Sequence, residues 1–177
     1  MVVRAGTIAR RGTLLGVSGG DEVSETDAAK VIALPPVLYL GSLLAGIFIQ
    51  QIWPLPFLSG WVLRVVLGLF VISAAGALVT SALLLFRRID QDPNPRTPTS
   101  RITQDGAYRF TRNPMYLGLS LIQLGIGIAL GNAWILILLL PTCVVMHYGV
   151  ILPEEAYLER KFGDEYLRFK SSVRRWL

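Results

Sequence analysis

Apolar residues in this chain are not interleaved with polar ones but gathered in four long blocks. Residues 32 to 52 (IALPPVLYLGSLLAGIFIQQI) carry no charge, and about 20 apolar residues suffice to cross the hydrocarbon core of a bilayer as a helix. Residues 61 to 86 carry only Arg64, near enough to one end for a long side chain to snorkel to the interface. Residues 114 to 130 and 133 to 152 are separated only by Gly131 and Asn132, which reads as a tight turn between antiparallel helices. The pattern predicts an all-α, polytopic membrane protein of about four spans whose last two form a hairpin. Its parts are a flexible polar N-terminal tail over 1–30, two spans within 31–89, and a core over 90–177 holding a linker, the hairpin and a cytoplasmic helical tail.

Composition points the same way. The chain is 53% hydrophobic and only 16% charged, where a soluble domain carries roughly a quarter charged residues. The single cysteine, Cys143, excludes an intrachain disulfide framework and a metal site of several thiolates. A net charge of +5 could suggest nucleic acid, but where the charges sit makes that partner unnecessary. Of 17 Lys and Arg, all except Arg64 fall in the N-terminal tail, in 87–113 or after 152, so the positive-inside rule makes that side, with both termini, cytoplasmic. Trp53, Trp61 and Trp134 mark the opposite ends of the spans as an aromatic belt. Arg4, Arg10 and Arg11 read as a basic tail rather than a targeting signal, because Leu14 to Val17 is too short for a signal-peptide core. Residues 90 to 99 (DQDPNPRTPT) hold three prolines and form a linker. Small residues at spacing four (Ser73, Ala77 and Ser81; Gly41 with Ala45; Ser42 with Gly46) predict helix-packing seams.

The polar residues that a bilayer should reject converge near the cytoplasmic ends of spans three and four. Pro114 suits the first position of a helix, where its missing N–H costs nothing, and a helix N-terminus beside Arg112 is a candidate anion site. The bland alternative is that Arg109 and Arg112 anchor the helix to lipid headgroups. Tyr116, Ser120, Gln123 and Gly127 share one helical face, a polar stripe that more often mediates helix contact than ligand binding. His147, the only histidine, is an ionisable group inside a span and so a candidate for a catalytic role. Glu154 lies seven residues on, two helical turns, and should return to the same face. Glu155 follows it, and adjacent carboxylates at a membrane edge require positive charge nearby, for which Arg112, Arg160 and Lys161 are candidates. Leu158 and Phe162, then Tyr166, Phe169 and Val173, predict amphipathic helices broken at Gly163-Asp164, lying along the inner surface as a lid.

The order GAYRFTRNPMYLG, an apolar hairpin, a Glu-Glu pair and LERKFGDEYLRFKSSVRRW resembles the isoprenylcysteine carboxyl methyltransferase and phospholipid N-methyltransferase group of integral membrane enzymes, and its short bacterial members most of all. The resemblance covers about residues 93 to 177. It implies an S-adenosylmethionine-dependent methyltransferase of the bacterial inner membrane that acts on a lipophilic, lipid-like acceptor, through a carboxyl or an amine. It also implies cofactor binding by Tyr108, Arg112, Asn113, Pro114, Tyr116, Gly118, Glu154 and Glu155. Asn113 stands where the family motif usually has histidine, and the arginine that carboxyl-methylating members carry shortly before the glutamate pair has no counterpart here but His147. Two other classes compete. A sterol-reductase-like enzyme using NADPH would require more basic residues near its site. A non-catalytic membrane protein that binds a partner or lipid leaves His147, Gln123 and the glutamate pair without a role.

Overall fold

A computed structural model of the chain describes Ala29 and residues 31–176; the rest of the tail expected at 1–30, with its basic cluster, lies outside the described residues. Those residues form α1 (Pro35–Ile52), α2 (Trp61–Arg88), α3 (Pro114–Leu130), α4 (Ala133–Met146), α5 (Leu152–Phe162) and α6 (Asp164–Ser172). A 3₁₀ turn (Gly106–Arg109) precedes α3, and a π-turn (His147–Ile151) joins α4 to α5. The only β pairing among the described residues is an isolated bridge between Pro56 and Asn132. Three helices are long and apolar enough to cross a membrane, the third running without a break from Ala133 to Phe162, and α3 is a shorter apolar helix. The protein is thus an all-helical membrane protein. α5 continues the fourth span instead of turning onto the inner surface as expected.

α3 is the centre of the bundle, packed against α2 on one side and α4 on the other, while α1 lies on α4. The α2–α3 seam is built from Gly68, Ala75 and Ala82, which face Gly118 and Gly125. A Cβ on Gly68 would lie 2.6 Å from the Gly125 carbonyl oxygen, and one on Gly125 2.9 Å from that of Gly68, so both must be glycine for the backbones to touch. This corrects the seam expected at Ser73, Ala77 and Ser81, all three of which are exposed. The reason is geometric: along a straight helix a spacing of four drifts by about 40° per step and a spacing of seven by about 20°. Over several turns only the latter stays on a line of contact. In α1, Gly46 packs against Ile135, whereas Gly41 meets nothing within 4 Å.

The end of the bundle away from the linker is closed by the Gly131-Asn132 turn. Gly131 is left-handed (φ 61°). The Asn132 side chain accepts from the Trp134 and Ile135 amides, which caps α4, and donates to the Gly46 carbonyl at 3.2 Å. The Arg64 guanidinium packs on Gly131.

At the other end Pro153 shapes the chain. Lacking an N–H, it cannot bond the carbonyl four residues back, and that carbonyl, on Gly149, accepts instead from the Ile32 amide at 3.1 Å. The segment leading into α1 is thereby pinned to the π-turn, where Gly149 leaves room for the Ile32 side chain. α6 begins after Gly163 (φ 52°), the expected break. Its Tyr166 and Phe169, with Val173 just beyond, pack on Ile102, Tyr108, Leu158 and Phe162.

Candidate functional site

A cavity of about 80 Å³ lies where the linker, the 3₁₀ turn, the start of α3, α5 and α6 meet. Tyr108, Arg112, Asn113, Tyr116, Glu154 and Glu155 all line it, so residues up to 47 positions apart in the sequence converge on one space. Three other residues named from the sequence do not line it. Pro114 is buried as the first residue of α3 and Gly118 is buried against Val79 of α2; both shape the helix beneath the site. His147 instead lines a separate crevice of about 490 Å³ with Ser120, Cys143, Tyr148 and Trp176, its ring edge-on to Tyr148. The physical reason is the π-turn: one extra residue in a turn rotates the next stretch of helix by about 100° relative to a regular helix. The expectation that His147 and Glu154 share a face therefore fails.

The two glutamates have different surroundings. Glu155 is buried (5% exposed) and receives two hydrogen bonds from one guanidinium, Arg175 Nε to Oε1 and Nη2 to Oε2, both 2.8 Å. Arg112 Nη1 lies 3.3 Å from the same Oε1. Glu154, half-buried at the cavity wall, has no such cation among the described residues and accepts a hydrogen bond from the Tyr116 hydroxyl at 2.8 Å. Arg112 keeps Nε buried without a partner, and Nη1 has the ion pair with Glu155 but no aligned hydrogen bond, an arrangement that is costly unless an acceptor is supplied.

Arg174 and Arg175 do not line the cavity but brace residues that do. The Arg175 carbonyl accepts from Thr111 Oγ1 (3.1 Å) and Asn113 Nδ2 (3.0 Å), and the Arg174 carbonyl from the Arg112 amide (2.9 Å). Asn113, in the position where the motif usually has histidine, thus uses its amide to hold the C-terminal segment. Tyr108 stacks on Phe86, ring centroids 5.5 Å apart, which gives the cavity a flat aromatic wall. Burial, and then the nearby charge of Glu154, hold the Tyr108 phenol above its usual range; burial and then Glu155 do the same for Tyr166. Both remain neutral donors at any working pH. The bond to Glu155 raises Arg175 further, keeping it charged.

Sequence reasoning missed Phe86, Tyr166, Phe169, Arg175 and the linker residues Gln91, Pro93, Thr99, Arg101, Ile102 and Thr103 as cavity or support residues. The charge requirement of paired carboxylates could have pointed to Arg175, since it is the same ground that singles out Arg112, Arg160 and Lys161. Nothing in a proline-rich linker signals that it folds over a site.

A second space adjoins this one. An apolar cleft of about 380 Å³ runs between the start of α1, α2 and α3, lined by Leu34, Pro36, Val79, Leu83 and Leu119. It shares Pro93, Met115 and Tyr116 with the polar cavity and has Asp92 and Asn94 on its wall.

Comparison with known proteins bears on what such a site does. A curated protein of Haemophilus influenzae, described only as an uncharacterized protein, is 49% identical to this chain over 65 residues, which are 36% of this chain and the whole of that protein. The phospholipid methyltransferase family matches residues 60–165, a stretch that runs from the first turn of α2 through the 3₁₀ turn, the hairpin and the glutamate pair into α6. That is more than half of the chain and includes most of the cavity's lining, and the protein belongs to the phospholipid methyltransferase family.

Proposed function

We propose that this membrane methyltransferase uses S-adenosylmethionine and methylates a lipophilic acceptor, in preference an amine. One observation carries the reading: a single cavity sets a carboxylate without a cationic partner among the described residues (Glu154), a buried guanidinium with an N–H that lacks an acceptor (Arg112) and a flat aromatic wall (Phe86 and Tyr108) side by side. Those are the groups that would suit, in turn, the positive charges, the carboxylate and the adenine of S-adenosylmethionine, so the residues present fit it. When bound it supplies a methyl group already activated by a sulfonium, and the protein's part is to align, shield and move a proton.

The acceptor's hydrocarbon chain would lie in the apolar cleft, its reactive head at Tyr116 where cleft and cavity meet. A carboxylate head would face Asp92 along the cleft and Glu154 at the junction. An amine would be drawn by both. An ammonium must lose a proton before its nitrogen can bond to carbon, and Glu154, steadied by Tyr116, is the base nearest that junction. Glu154 would hold the proton released from the ammonium, and the methyl group would come from the donor with its sulfur as leaving group.

The cavity, at about 80 Å³, is smaller than the roughly 300 to 1,000 Å³ usual for such ligands. The linker over 89–105, without helix or strand, would move outward on binding. We also place both termini and this cavity on the cytoplasmic side of a bacterial inner membrane, on the charge asymmetry alone.

Calorimetry in detergent should detect S-adenosylmethionine binding and none of NADPH; tight NADPH binding with no response to S-adenosylmethionine would replace this reading with a reductase. Cysteines introduced at Ser59 and Ser100 should label from opposite faces of the membrane, and labelling from the same face would refute the topology.

A further inference from the structure

We propose that Arg175 is a positioning residue for the methyl donor: acting through Glu155, it holds the Arg112 guanidinium against the donor's carboxylate. The inference rests on the proposed use of S-adenosylmethionine and assigns to the last residues of the chain a part in selecting the donor.

Three observations support it. The first is geometric. Arg175 grips Glu155 through both carboxylate oxygens, and a bidentate pair fixes the plane of a carboxylate as well as its charge. Arg112 approaches one edge of that fixed plane, so its orientation depends on Arg175 although Arg112 and Arg175 belong to opposite ends of the core.

The second observation is electrostatic. Arg112 and Arg175 share the single carboxylate of Glu155, and of these three side chains Arg175 is 30% exposed while Glu155 and Arg112 are only 7% and 8% exposed. Charge buried to that degree calls for a counter-ion. Glu154 is engaged with Tyr116 and forms no ion pair with either arginine. A ligand carboxylate would supply the acceptor that Arg112 Nε lacks and an aligned one for Nη1, which only shares Glu155 Oε1 with Arg175.

The third is that Arg175 is tied by its backbone too. Its carbonyl takes hydrogen bonds from Thr111 and Asn113, on either side of Arg112 in the sequence. The main chain thus grips the residues that flank Arg112 while the side chain grips Glu155, the carboxylate Arg112 approaches, and the two holds act on the same guanidinium.

The test compares binding of S-adenosylmethionine with that of its decarboxylated form, by calorimetry on the full-length protein in detergent. The wild-type protein should prefer the carboxylate-bearing donor by on the order of tenfold, the usual scale for a charge-assisted contact. In Arg175→Ala the two ligands should bind nearly equally, because affinity for the decarboxylated form is spared. Arg175→Lys keeps the charge but not the fork, and should retain the fold while losing most of the preference, which covers the case in which the alanine variant does not fold. If either folded variant weakens both ligands by the same factor, or leaves the preference intact, Arg175 has only a structural role and the proposal fails. Equal binding of both ligands by the wild type also overturns it, with the methyltransferase reading untouched; binding of neither by the wild type removes that reading as well.

Discussion

Two clusters of polar side chains interrupt the apolar surface of α3, and they differ in whether the protein itself supplies their partners. Inside the bundle, Ser120 Oγ lies 2.6 Å from Tyr39 OH and donates to the Tyr116 carbonyl, and Gln123 Nε2 donates to Ser42 and to the Ile135 carbonyl. Only Gln123 Oε1 lacks a partner there. One turn nearer the linker, Tyr116 donates to Glu154, and that carboxylate lies with Arg112 along a cavity. A polar group within a membrane protein is therefore not in itself a sign of a site. Where helices can meet, it becomes a cross-link between them; where they splay apart and a loop closes the gap, it is left facing space that a ligand can fill.

The largest effect should come from the open cluster. Glu154→Gln keeps the shape of the side chain and removes its charge, so S-adenosylmethionine affinity should fall by about 1 to 3 kcal/mol, while the melting temperature in detergent changes little. Arg112→Ala should lose a comparable amount. Unchanged affinity in both variants would show that the open cluster does not hold the donor.

A smaller and opposite result is expected of the closed cluster. Gln123→Leu removes two donated hydrogen bonds and also the one unsatisfied oxygen, and such links within membrane bundles average about 0.6 kcal/mol. The variant should melt slightly lower than the wild type and bind S-adenosylmethionine with unchanged affinity. A loss of affinity without a loss of stability would mean that the two clusters act as one.

This contrast also marks what is legible in the sequence. Four apolar blocks, the Gly131-Asn132 turn and the break at Gly163 depend on local composition and on backbone freedom, and each is visible in a few neighbouring residues. The polar stripe from Tyr116 to Gly127 is legible for the same reason, as a face of one regular helix. Partnerships are not. That Glu155 is held by Arg175 while Glu154 is not depends on how α6 folds back over the 3₁₀ turn and brings the chain's end to the site. The seam on Gly68, Ala75 and Ala82 is hard to tell from one at spacing four because the choice between them turns on how far two helices run side by side. The π-turn is the clearest case: Pro153 removes a donor, but the reward for leaving the α-helical path, the Ile32 amide on the Gly149 carbonyl, comes from a segment far away in the sequence.

His147 gives the smallest predicted effect and the sharpest test of the contrast. In a regular helix it would stand over Glu154 and be a natural proton acceptor for an amine. With the π-turn between them it lies instead in the crevice beside Cys143 and Trp176, away from the cavity that Arg112, Tyr116 and Glu154 line. Substitutions at sites without shared partners are independent to within roughly 0.5 kcal/mol, so His147→Ala should change S-adenosylmethionine affinity by less than about twofold. The reaction's dependence on pH should likewise keep its acidic limb, because the proposed proton acceptor is the Glu154–Tyr116 pair. Loss of that limb on replacing His147, with donor affinity unaltered, would mean that the acceptor enters from the crevice side and that the histidine, not the glutamate, takes its proton.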